Sequence, residues 1–212
     1  LFAELGRLGF IAQDAARRAI GLAAYRHVLR LRRIHLEGIE PDMLPSRENH
    51  LLMGPTGSGK TFMVKTLFEK ILSLPTAFCD ATSITETGYV GEDAHICLTK
   101  LFHAADKNVK RAECGISAID EFDKLSASGI NRAVFSGAGT RNDVSRGGVQ
   151  RSLLKILEED AEVDIPADVG VPIGRSQRVT FRTGNVLFVA CGAFSGIDSV
   201  LKETGSIGFR AE

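Results

Sequence analysis

A three-layer α/β/α fold on a mostly parallel central sheet is predicted by three observations. Short apolar runs of strand length recur along the chain, at "HLLM" (50–53), "TAFCDA" (76–81), "CGISAID" (114–120) and "VLFVA" (186–190). Longer segments with helical periodicity separate them. The first run enters a glycine-rich turn that opens a helix, the strand–turn–helix order of a parallel α/β unit. At 212 residues, 44% hydrophobic and 25% charged, the chain can bury a core of ordinary domain size, or one domain plus a fragment.

Taken in order, helical periodicity over 13–33 comes first. Its Ala15, Ala19, Leu22 and Ala23 recur at helical spacing, and its basic residues, Arg17, Arg18 and those from Arg26 to Arg33, read as a solvated face rather than a nucleic-acid patch. "LEGIEPDMLPSREN" follows as a loop marked by proline and glycine. After the first strand a helix is expected over 60–72, ended by Pro75, and another over 93–109. The stretch 124–146, rich in Ser, Gly, Asn and Arg, predicts a long mobile loop. A helix over 149–159, a hairpin around 164–181 and the strand at 186–190 complete the core.

Composition narrows the function. Lys plus Arg and Asp plus Glu both number 26, so no global field gathers nucleic acid or anionic membrane. Cys79, Cys97, Cys114 and Cys191 are scattered, without metal-ligand spacing, and read as reduced thiols, with Cys79 and Cys191 in core strands. The histidines are equally dispersed. No apolar run approaches the length of a membrane span and no signal-peptide pattern is present, although the chain begins at Leu1 rather than Met.

"GPTGSGKT" satisfies G-x-x-x-x-G-K-[ST] between a strand and a helix. Gly54, Pro55, Thr56, Gly57, Ser58 and Gly59 form a turn whose backbone N–H groups can face phosphate oxygens. Lys60 would neutralise the β and γ phosphates of ATP, Thr61 would ligate Mg²⁺, and Phe62 adjoins them. The third strand ends in "AIDE". Asp120 there would hold the magnesium and Glu121 would orient the attacking water. Lys60, Asp120 and Glu121 are thus the expected catalytic set. A guanine signature is absent, and no phosphoacceptor pocket for a small-molecule kinase is apparent.

With "DAT" at 80, "TETGYVGED" at 85, "IDEFDK" at 119, "DVSRGGVQRSLLKILE" at 143 and "VLFVACGAFSGID" at 186, the chain resembles the ClpX family of AAA+ protein unfoldases, from "FIAQDAARRAIGLAAYRHVLRLRR" nearly to its end. The resemblance implies that residues 1–212 are a large AAA+ ATPase domain that threads protein substrates into a Clp-type peptidase, as a homohexamer when complete. It implies that Tyr89 and Val90, between Gly88 and Gly91, line the axial pore and grip unfolded polypeptide. "RNDVSRGGVQ", with Arg141 and Arg146, matches a second pore loop within 124–146. Phe10 and Ile11 match the adenine-binding segment, although Ala12 replaces the family's glycine before Gln13 and the pair could equally staple the helix. Ile207, Gly208 and Phe209, in a loop over 202–212, match the tripeptide that docks on the peptidase. The compartment implied is the bacterial cytoplasm, with the mitochondrial matrix as the alternative.

Several family features are not visible in the sequence: the N-terminal zinc module, the arginine delivered to a neighbouring subunit, the fifth strand and the small helical domain. The expectation is therefore an incomplete large domain or part of a longer chain, with its first strand on an unpaired edge. "ACGAF" offers only Cys191 as a polar sensor of the γ phosphate, and none is assigned. Ser117 is an unusual polar residue inside a strand. Competing readings are an HslU-like protease subunit, a remodelling chaperone that works without a peptidase, and a nucleic-acid motor, which the charge balance disfavours.

Overall fold

The computed structural model describes residues 1–10, 13–84, 95–125, 150, 152–158, 160–168 and 177–197. Four parallel strands form the central sheet: β1 (His50–Met53), β2 (Thr76–Asp80), β3 (Ile116–Asp120) and β6 (Leu187–Gly192), in the order β1-β6-β3-β2. All lie within two residues of their sequence-predicted bounds, because each apolar run is fenced by turn residues or by proline. β1 stands at one edge of the sheet, with Leu51 47% and Met53 55% exposed. A separate antiparallel hairpin pairs β4 (Glu162–Pro166) with β5 (Arg178–Arg182), in the register Asp164↔Thr180.

Alternation along the strands divides the core into two layers. On one side Ile116 and Ala118 of β3 and Leu187, Val189 and Cys191 of β6 pack with the helices α1 (Phe2–Arg7), α2 (Asp14–His35) and α3 (Lys60–Lys65). On the other side Ile119 and Phe188 meet α4 (Ile96–Ala104), α5 (Val109–Ala112), the helical residues 152–157 and the hairpin. The fold is the predicted α/β/α sandwich with a parallel sheet.

Two helix predictions need correction, and one helix was not predicted. The segment expected as one helix over 60–72 is α-helical only to Lys65; from Thr66 to Ile71 it widens into a π-type helix, with Leu72 N–H bonded five residues back to the Leu67 carbonyl. This wider stretch starts with three consecutive fully buried side chains, Thr66, Leu67 and Phe68. The helix expected over 93–109 stops at Ala104, because Asp106 (φ 56°) and Lys107 (φ 58°) take the left-handed conformation that ends a helix. α1 was not anticipated at all.

Its presence changes the reading of α2. The buried side of α2 is Arg17, Ile20, Gly21, Ala23, Ala24 and His27, whereas Ala15, Ala19 and Leu22 face outward. Arg17 is therefore not on a solvated face. Its guanidinium donates to the Phe2 carbonyl (2.8 Å) and the Asp14 carboxylate (3.1 Å) and lies 4.1 Å over the Phe2 ring. Arg47 plays a similar part on the other side, donating to the carbonyls of Val186, Leu157 and Glu158 and so tying the loop before β1 to the start of β6. Among the described residues no helix is long and apolar enough to cross a membrane.

His27 is 5% exposed and its Nε2–H donates to the Cys114 carbonyl at 3.1 Å, ahead of β3. Burial first, with Arg30, Arg47 and His50 adding to it, pushes its pKa from 6.5 down to about 4. The folded chain thus refuses a proton that the unfolded chain accepts. Stability is full above pH 6.5 and falls as the pH drops from 6.5 towards 4, by up to about 3 kcal/mol for this one group. Urea unfolding at pH 7 and pH 4.5 should show this loss in the wild type, and His27→Gln should show a smaller difference between the two pH values.

Candidate nucleotide-binding site

Parallel pairing brings the ends of three strands into line. Met53 of β1 registers with Gly192 of β6, and Ala190 of β6 with Ile119 of β3. The ladder continues one residue beyond β1, where Gly54 N–H donates to the Gly192 carbonyl at 3.2 Å. The glycine-rich turn therefore leaves the sheet at the same carboxyl edge at which Asp120 ends β3, the edge where ligands bind in open α/β sheets.

Within the turn, Gly57 (φ 79°) and Gly59 (φ 84°) hold left-handed backbone that favours glycine. No heavy atom lies within 4 Å of where a side-chain carbon on Gly57 would stand. Ser58 N–H closes the turn on the Pro55 carbonyl (3.2 Å), and Met63 N–H bonds the Gly59 carbonyl (2.9 Å) as α3 begins. Lys60 Nζ donates to the Gly54 (2.8 Å) and Pro55 (3.0 Å) carbonyls. Thr61 Oγ1 donates to Asp120 Oδ2 at 2.5 Å, joining the motif to the acid that ends β3.

Asp120 Oδ1 accepts from the Glu121 N–H (2.9 Å), and Glu121 itself has φ 52°. Left-handed backbone costs a residue with a side chain about 1–2 kcal/mol, and such outliers gather where function fixes the geometry. Glu121 is exposed beside the cavity that the motifs share. That cavity, of about 310 Å³, is lined by Thr56, Gly57, Gly59, Lys60, Thr61, Phe62, Asp120 and Glu121, and also by Asp123, Lys124, Gly192 and Ala193. Open space over Gly57, an ammonium held among the described residues by carbonyl dipoles, and a hydroxyl–carboxylate pair fit a nucleoside polyphosphate with a divalent cation.

Two residues near this site are buried. Phe10 is 7% exposed, stacks on Phe62 at 6.3 Å and 15°, and packs in the helical core layer. Cys191, the one polar candidate in "ACGAF", is 2% exposed and points into that same layer. Burial, and then the Asp120 charge, push its pKa up to about 11, so it stays a neutral thiol. Ser117 is fully buried with no hydrogen bond to its hydroxyl among the described residues, and nothing in the structure explains it. Ile11, Tyr89, Val90, Arg141, Arg146, Ile207, Gly208 and Phe209 lie outside the described residues.

The family-model comparison matches residues 46–206 to the AAA domain (Cdc48 subfamily). The chain belongs to the AAA family of P-loop domains. This AAA domain is 42% identical over 205 residues to the ATP-dependent Clp protease ATP-binding subunit ClpX of Treponema denticola, covering 95% of the chain. It spans 47% of that relative, about half its length. The similarity runs through both nucleotide motifs of the AAA domain and through its four sheet strands.

Sequence reasoning missed Asp123, whose Oδ1 accepts from the Ala193 N–H at 3.2 Å and ties the segment after Glu121 to the end of β6. The signal was the glycine after "FVAC". A side-chain carbon on Gly192 would lie 2.7 Å from Asp123 Oδ1 and 2.6 Å from the Phe194 ring. Gly192→Ala should therefore destabilise the chain by about 1–3 kcal/mol and weaken nucleotide binding, as a lower Tm and a raised Kd for a fluorescent ATP analogue would register.

Proposed function

We propose that this chain is the ATPase core of a protein unfoldase that hydrolyses ATP to thread protein substrates into a Clp-type peptidase. The observation that carries the reading is the Thr61–Asp120 junction beside the glycine-rich turn, in a chain 42% identical to ClpX over 95% of its length. Residues 54–61 would cradle the polyphosphate, with Lys60 moving its charge from loop carbonyls to the β and γ phosphates. Thr61 and Asp120 would hold Mg²⁺, which neutralises charge on the phosphate oxygens. Glu121 would accept a hydrogen bond from the attacking water and orient it. Phe10, Ile11 and Phe62 would flank the base.

Tyr89 and Val90 are proposed to grip the substrate chain in the pore of a homohexamer, with residues 124–146 contributing a second loop. Ile207, Gly208 and Phe209, within 202–212, are proposed to dock on the peptidase as apolar anchors. The relative's bacterial source and the reduced state of Cys79, Cys97, Cys114 and Cys191 support the reducing bacterial cytoplasm as the compartment.

In the full-length protein, Glu121→Gln should bind ATP as the wild type does yet lose at least a hundredfold in turnover. Full hydrolysis by that variant would overturn the catalytic assignment. Degradation of a folded, tagged reporter with a Clp-type peptidase tests the rest. Tyr89→Ala should hydrolyse ATP without unfolding the reporter, and Phe209→Ala should unfold it without degradation. Unfolding without degradation by the wild type would make the protein a free-standing remodeller.

A further inference from the structure

We propose that Gln13 is a positioning residue for the phosphate turn, fixing the plane of the Ser58–Gly59 peptide; this rests on the nucleotide reading of the site. Gln13 precedes α2 with φ 62° and ψ 52°, left-handed values unusual for a residue with a side chain. From there its Nε2–H donates to the Ser58 carbonyl at 2.8 Å, across 45 residues of sequence. The backbone of Gln13 is itself fixed, since its carbonyl accepts from Arg17 N–H at 2.9 Å in the first turn of α2.

What this bond holds is decided by peptide geometry. The Ser58 carbonyl and the Gly59 N–H belong to one planar trans peptide, in which they point in opposite directions. Drawing the carbonyl towards Gln13 therefore aims the Gly59 N–H away from it, and Gly59 lines the cavity shared with Lys60, Thr61 and Asp120. The same peptide has a second close neighbour. Gly59 lies under Phe10, so close that a side-chain carbon on Gly59 would be 3.3 Å from the ring edge. Phe10 and Gln13 thus flank consecutive residues of the turn.

A purely structural role for this bond is a poor explanation. Gln13 is exposed, and one solvent-exposed amide bond returns little net stability against left-handed backbone that glycine would adopt freely. The strain is instead the condition for reaching Ser58, and what it yields is a donor group held in place before any phosphate arrives.

The test uses the full-length protein with Gln13→Ala and Gln13→Gly, titrated calorimetrically with inorganic tripolyphosphate and with a non-hydrolysable ATP analogue, and melted in parallel. Gln13→Gly removes the strain together with the donor. It should melt at or above the wild-type temperature and yet bind both ligands about tenfold more weakly, as Gln13→Ala should. Wild-type affinity for tripolyphosphate in a folded Gln13→Gly protein overturns the proposal, as does weakening confined to the base-bearing ligand. Failure of the wild type to bind either ligand overturns the nucleotide reading of the site, and this proposal with it.

Discussion

The parallel ladder running β3–β6–β1 is the constraint from which the rest of the site follows. Its register ends the three strands together, so the turn after Met53, the carboxylate of Asp120 and the backbone at Gly192 and Ala193 meet without any long connection. Thr61–Asp120 then links the helix after the glycine-rich turn to the end of β3, across the intervening β6, and Asp123–Ala193 links the ends of the neighbours β3 and β6. A one-residue slip of β6 against β3 would separate those pairs and also exchange the two core layers, because Phe188 and Val189 face opposite sides. Core packing and site assembly are therefore specified by the same register.

Around that ladder, polar groups do much of the fastening. Arg17 binds α1 to α2, Arg47 binds the approach to β1 to the start of β6, and His27 binds α2 to the approach to β3. Each reaches a backbone carbonyl, which is how a buried or half-buried charge or imidazole is made tolerable. In sequence these residues belong to a basic, amphipathic helix and a loop. In the fold they act as brackets.

The strands, the glycine-rich turn and the Asp-Glu pair were legible because each is local: a run of four to six apolar residues, or a motif whose spacing fixes its geometry. What escaped the sequence depends on partners distant along the chain. Arg17 looked solvated because its acceptor, the Phe2 carbonyl, lies on a helix too short to show periodicity. Asp123 drew no role from the sequence, because its approach to β6 depends on the space left by Gly192. The π-type stretch after Lys65 has no composition signal, since its residues suit an ordinary helix.

The position of β1 also has a mechanical meaning. Among the described residues it is paired only with β6, through a short run of registered pairs, and it holds the glycine-rich turn as a lever fixed along that flank. Sliding the turn along the strand axis must shear every rung of that ladder at once, whereas tilting it away from the sheet loads them one after another, as in peeling. The phosphate turn is thus stiff in one direction and compliant in another. A load applied to the face of β1 on which Leu51 and Met53 are exposed acts on the turn within one residue of Gly54.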